Sequence, residues 1–201
     1  MSSVLKPALL TPVDYLARER AASFRSEYYR GEMFAMAGAR WEHTLIKDNV
    51  ARESGNQLRG GPCQVLTSDM RVKVSPTGLY TYPDVVVVCD EPQFEDEVRD
   101  TLLNPRTIVE VLSESTEKYD RGVKFEHYQR VVTLQEYVLV SQDRPFVERY
   151  LRQPDGSWLY TAFGETETFA FASIPVQIPL AEIYRGITFS QTGERRGVTP
   201  P

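Results

Sequence analysis

The run Val85-Val86-Val87-Val88-Cys89 constrains this chain more than any other stretch. Four branched apolar residues in a row leave no polar face. They predict a strand buried on both sides, as in a sheet covered by helices. Thr107 to Leu112 repeats the character, except that Glu110 interrupts it. Glu136 to Ser141 predicts a third apolar strand. These runs are far short of the roughly 20 residues that cross a bilayer, so no membrane role is expected. Met1 to Leu10 lacks a charged segment followed by a long apolar one, and no secretion signal is expected.

The remaining pattern adds helices and half-buried strands. Thr11-Pro12-Val13-Asp14 is a helix start, with a Thr cap, Pro at the first position and an acid behind it. That helix should reach about Ala22. Phe24 to Tyr29 and Glu32 to Met36 flank Arg30-Gly31 and predict a hairpin. Trp41 to Leu58 carries helical spacing, and Gly60-Gly61-Pro62 stops it. Met70, Val72 and Val74 alternate with Arg71 and Lys73, which predicts a half-exposed strand. Ser115 to Val131 predicts a helix packed through Tyr119, Val123, Tyr128 and Val131. Pro154-Asp155-Gly156 marks a hairpin turn between Phe146–Leu151 and Trp158–Phe163. Ile174 to Ile178 and a short Leu180–Tyr184 segment close the pattern. The fold class is α/β (α+β), a mixed sheet with flanking helices.

With 201 residues, the chain predicts a single domain over 1–190 and a flexible tail over 191–201. Its 23 Lys and Arg face 28 Asp and Glu, a net charge of −5. That balance disfavours a general nucleic-acid coat but leaves room for a local basic cleft. Cys63 and Cys89 show no metal-ligand spacing. They read as buried free thiols in a reducing, cytoplasmic protein.

Three segments carry candidate chemistry. Tyr82-Pro83-Asp84 places an acid at the entry to the Val run. Glu110 sits inside an apolar strand, where an ionised carboxylate costs several kcal/mol unless paired or metal-bound. Asp120 and Lys124 lie one turn apart on the following helix. Strands about 4.8 Å apart let two carboxylates reach one hard cation. Such a pair with a lysine is equipped for metal-assisted phosphodiester hydrolysis. The lysine supplies positive charge, or handles the proton if burial lowers its pKa.

At these residues the sequence strongly resembles the Uma-two family of the restriction-endonuclease-like PD-(D/E)XK nuclease superfamily. The resemblance rests on Tyr82-Pro83-Asp84-Val85, Pro105…Ile108-Val109-Glu110-Val111-Leu112-Ser113, Asp120…Lys124…Tyr128 and Glu136-Tyr137-Val138-Leu139-Val140. Tyr28…Gly31-Glu32-Met33…Met36-Ala37-Gly38…His43 adds an N-terminal signature. It covers about Pro12 to Tyr184. It implies a restriction-endonuclease-like core, a central mixed β-sheet flanked by helices, with added β-hairpins. It implies Mg²⁺ or Mn²⁺ held by Asp84, Glu110 and the Val111 carbonyl, with Asp84, Glu110 and Lys124 catalytic. The superfamily's usual lysine position, two residues after the glutamate, is Leu112 here; the resemblance moves that role to Lys124. Glu32, His43, Asp69, Ser113 and Asp120 are supporting candidates.

Taken singly, each residue also has a plain structural reading. Asp84 serves as a strand-end cap, and Asp120–Lys124 is an ordinary i,i+4 pair worth about 0.2–0.5 kcal/mol. For Glu32, His43 and His127 the packing reading is favoured. The whole pattern favours a divalent-metal-dependent DNA endonuclease. A homodimer is one arrangement that supplies two sites for two strands. The alternative, motivated by Leu112 and the −5 charge, is a catalytically inactive nuclease fold used for binding or assembly. A third reading is a phosphoryl hydrolase acting on RNA or small molecules.

Overall fold

The structure is a computed structural model and describes residues 9–189; the tail expected over 191–201 lies outside them. The chain runs α1 (Pro12–Ala21), β1 (Ser26–Tyr29), β2 (Glu32–Ala35), α2 (Trp41–Gln57), β3 (Cys63–Thr67), β4 (Arg71–Val74), β5 (Leu79–Thr81), β6 (Val85–Cys89), β7 (Thr101–Leu102) and β8 (Thr107–Leu112). A broken helix follows: α3 (Glu117–Tyr119), a π-helical turn (Asp120–Lys124) and α4 (Phe125–Tyr128). Then come β9 (Glu136–Ser141), β10 (Val147–Arg152), β11 (Trp158–Phe163), β12 (Thr168–Ala170), β13 (Gln177–Pro179) and α5 (Leu180–Ile183).

A six-stranded mixed sheet, β11-β10-β9-β8-β6-β3, forms the centre. β8 and β9 are parallel, joined across the broken helix, and the other pairs are antiparallel. The Val run divides between two cores because strand side chains alternate faces. Val85 and Val87 pack with Val109, Val111, Val138 and Val140 against Ile46 and Val50 of α2 and Leu180 and Ile183 of α5. Val86 and Val88 pack with Ile108, Leu112 and Leu139 against Phe125 and Tyr128. Val72, Val74 and Leu79 of a second, five-stranded sheet, β2-β1-β5-β4-β7, join that second core. Each of the four buried valines contributes on the order of 1.5 kcal/mol or more. Both-face burial of β6 therefore holds as expected.

At the N-terminal end, Thr11 and Asp14 form a reciprocal capping box. The β1–β2 turn takes φ values of 47° at Arg30 and 90° at Gly31, as a two-residue hairpin requires. A Cβ at Gly31 would lie 2.6 Å from Leu9 Cβ, so glycine is required twice over.

Three expectations are corrected. Cys63 and Cys89 are not free thiols but are joined in a disulfide. The antiparallel β3–β6 register sets them directly opposite, a pairing that spacing along the chain does not reveal. Arg71 is buried rather than on a wet face, because β7 covers it and Thr101, Tyr82 and Asp100 accept its donors. The Ser115–Val131 helix is broken by the π turn, which shifts the phase of the following residues. Val123 consequently faces solvent at 50% exposure, while Lys124 turns inward. Finally, the short strands β5, β7 and β12 have too little pattern to be anticipated.

Glu136 begins β9 fully buried and ties down the C-terminal segment. Its carboxylate accepts from the backbone N–H of Ala172 at 3.0 Å and of Ser173 at 2.9 Å, and from the Ser173 hydroxyl at 2.6 Å. Glu136→Ala leaves those amides without partners. It should lower unfolding free energy by about 2–5 kcal/mol in denaturant titration; a change within 0.5 kcal/mol would contradict this latch role.

Candidate active site

The antiparallel register Val85↔Val109 decides the site. One step beyond it, Asp84 at the entry to β6 faces Glu110 in β8. The Asp84 backbone N–H lies 3.3 Å from Glu110 Oε2, and the Val111 N–H donates to Asp84 Oδ2 at 2.8 Å. The two carboxylates therefore sit on adjacent strands, on the face that carries Val86 and Ile108.

Lys124 arrives from the π turn. Its Nζ lies 2.8 Å from Glu110 Oε1, 3.3 Å from Asp120 Oδ1 and 3.6 Å from Glu27 Oε1. The expected Asp120–Lys124 pair thus exists, but both partners are buried and shared with Glu110. Leu112 lies on the same face as Glu110 and is packed in the core, so it fills the nearby space with hydrocarbon. The wider π turn brings the amine to Glu110 from the helix instead. Tyr128 completes the grip by donating its hydroxyl to Glu110 Oε1 at 2.9 Å.

His43 comes from the first turn of α2, with Nε2 3.1 Å from Asp84 Oδ2. Its Nδ1 is buried without a hydrogen-bond partner. Ser113 lies at the rim and bonds to Ser115 and Thr116, turning the chain after β8. Two supporting candidates stand apart. Glu32 is exposed on β2 and does not line the cleft. Asp69 is exposed and paired with Arg25, outside the cleft lining.

Glu27 of β1, unremarked in the sequence, occupies the position that Glu32 was expected to supply. It accepts from the Thr81 hydroxyl and from Tyr119 at 3.2 Å, and it faces Lys124. The available signal is strand parity. Tyr28 turns into a cluster with Tyr15 and Tyr80, so Glu27 must point the other way.

These residues line a cleft of about 1040 Å³. Burial raises the Glu110 carboxyl to about 8; Lys124 opposes the shift, and Asp120 and Asp84 add to it. Burial also pushes Asp120 up, again against Lys124. Desolvation would lower Lys124, but Glu110, Tyr128, Glu27 and Asp120 outweigh it and hold the amine well above its ordinary value. The proton-handling option therefore gives way to a fixed positive charge. His43 loses from burial but gains more from Asp84, and its pKa rises.

Four acids, Glu27, Asp84, Glu110 and Asp120, thus converge around Lys124 and His43. This excess of oxygen donors suits a hard cation. Among the described residues, no group of three His, Cys, Asp or Glu forms a ready-made metal cage. Two carboxylates with water and phosphate oxygens completing the shell fit Mg²⁺ better than an all-protein cage does.

The fold is shared with a solved structure. That structure, described as "a putative nuclease belonging to DUF820 from Anabaena variabilis", superposes with a TM-score of 0.71 at 16% identity, covering 87% of this chain and 97% of that one. The family Uma2, described as "Putative restriction endonuclease", matches residues 12–181, and the chain belongs to it. Two proteins of Synechocystis sp. are similar over nearly their whole length. "Uncharacterized protein slr1290" is 36% identical over 90% of this chain and 94% of its own, and "Uncharacterized protein sll1609" is 34% identical over 88% and 100%. Among the described residues, no helix is long and apolar enough to cross a membrane.

The sign of the pH dependence follows from these shifts. Between pH 4.5 and about 8 the folded state keeps a Glu110 proton that the unfolded state has released. Stability therefore falls as pH rises through that window. The His43 contribution is complete below 6.5 and is lost as pH climbs through its raised folded value, so it acts in the same direction. In EDTA, the Tm of the wild type should fall from pH 5 to pH 8, and Glu110→Gln should flatten the decline. A Tm that rises over this range would contradict the assignment.

Proposed function

We propose that this chain is a divalent-metal-dependent endonuclease that hydrolyses phosphodiester bonds in DNA. The observation that carries the reading is the meeting of Asp84, Glu110 and Lys124 from three separate elements, with 2.8 Å between the lysine amine and Glu110. Asp84, Glu110 and the Val111 carbonyl would hold Mg²⁺ or Mn²⁺. Such an ion, when bound, polarises a phosphoryl oxygen and lowers the pKa of its water.

The protein's own groups do the rest. Lys124, kept as an ammonium by its carboxylates, presents fixed positive charge to the oxyanion that develops on phosphorus. Asp120 and Glu27 hold that amine in place. His43 and the Val111 N–H fix the Asp84 carboxylate, and Tyr128 fixes Glu110. A homodimer is the proposed assembly, and DNA is the proposed substrate.

Asp84→Asn, Glu110→Gln and Lys124→Met should each lower DNA cleavage in Mg²⁺, read on single-stranded and duplex substrates, by about 10²-fold or more. Mn²⁺ should raise the Tm of the wild type and of Lys124→Met, but not of the two carboxylate variants. Cleavage that survives both carboxylate changes would overturn the reading. Calorimetry showing no Mn²⁺ binding up to millimolar concentration would favour the non-catalytic binding or assembly role.

A further inference from the structure

The mouth of the cleft carries an apolar rim that hydrolysis itself does not use. Phe24 is 61% exposed, Phe34 49% and Met36 36%, and all three line the cleft. Phe34 is the cross-strand partner of Glu27 in the β1–β2 register. Residues directly opposite share a face, so the ring stands over the same opening that Glu27 closes from below. Trp41, 71% exposed, follows Arg40 in sequence, and Arg40 also lines the cleft. Phe24, Phe34 and Met36, exposed together along one cleft lining, mark a contact surface.

The cations at the mouth are few. Arg25 is paired with Asp69. Lys47 reaches Ser68 Oγ at 3.3 Å and Asp48 at 3.7 Å. Arg40 makes no ion pair among the described residues. A duplex presents one negative charge per about 1.7 Å of axis and draws most of its affinity from cations on its phosphates. Its base faces are already stacked on each other and out of reach of protein rings. A single strand offers those faces to aromatic side chains, and it carries half the duplex's charge per length, so fewer cations suffice to lead its backbone.

We propose that this cleft takes single-stranded DNA, with unstacked bases packed on Phe34 and Phe24 and the backbone led past Arg40 and Lys47 toward Asp84 and Glu110. The proposal rests on the nuclease reading above and specifies its substrate. Phe34 and Phe24 are specificity-determining contacts, separate from the proposed metal ligands Asp84 and Glu110 and from the Lys124 charge.

Fluorescence anisotropy with a labelled 20-nucleotide oligo(dT) and a labelled 20-base-pair duplex, in Ca²⁺ buffer, tests it on the full chain. Oligo(dT) should bind at least ten-fold more tightly than the duplex. The double variant Phe24→Ala/Phe34→Ala should lose roughly ten-fold or more in oligo(dT) affinity with an unchanged Tm. Equal or tighter duplex binding, or undiminished oligo(dT) binding by the double variant, would overturn the proposal. So would sedimentation showing that the double variant dissociates a wild-type dimer, which would assign the rim to a second copy. Duplex cleavage retained by the double variant, together with preferred duplex binding, would defeat the single-strand assignment alone. A wild type that binds oligo(dT) but cleaves no nucleic acid would defeat the nuclease reading instead.

Discussion

Burying the Glu110 carboxylate inside a sheet costs several kcal/mol unless other groups compensate for it, and much of the surrounding structure serves that compensation. Lys124 and Tyr128 meet one of its oxygens, and the Asp84 backbone meets the other. Each of these contacts depends on a distinct structural device. The Asp84 contact needs the Val85↔Val109 register. The Lys124 contact needs the π turn, and the Tyr128 contact needs α4 to lie on the sheet directly after it.

The same geometry explains how an amine reaches Glu110 while Leu112 fills the strand position two residues on. Glu110 and Leu112 share a face, and Leu112 is packed into the second core with Phe125. A charged side chain there would displace hydrocarbon packing at a cost of a few kcal/mol. The π turn delivers an amine to the same carboxylate from above the sheet, so the core stays apolar and the charge stays in place. Positive charge is then held by three acids rather than by two, with Glu27 reaching in from the second sheet. The site thus joins both sheets, and the hairpin that bears Glu27 also bears Phe34 at its mouth.

Much of this was legible in the residues themselves. The Val run announced a strand with two buried faces, and Glu110 stood out because a carboxylate in an apolar strand needs a reason. The hairpins, the Thr11 cap and α2 followed from local turn and capping chemistry. Lys124 was visible through the family resemblance rather than through spacing, since Asp120 and Lys124 alone describe an ordinary surface pair. What could not be read depended on contacts distant in sequence. The disulfide needs the β3–β6 register, burial of Arg71 needs β7, and Glu27 needs β1 to be placed beside β5. The π turn adds a phase shift that no helical periodicity contains, which is why Val123 was expected inside and lies outside.

Asp84 and Glu110 are proposed here as a divalent-cation site with Lys124 beside it. Anomalous diffraction from crystals soaked in Mn²⁺ tests it most directly. A peak is expected between the two carboxylates, within about 2.0–2.3 Å of an oxygen of each, with the Lys124 amine still lining the cleft. A peak bound elsewhere, or a saturated soak leaving the carboxylate pair without manganese, would contradict it.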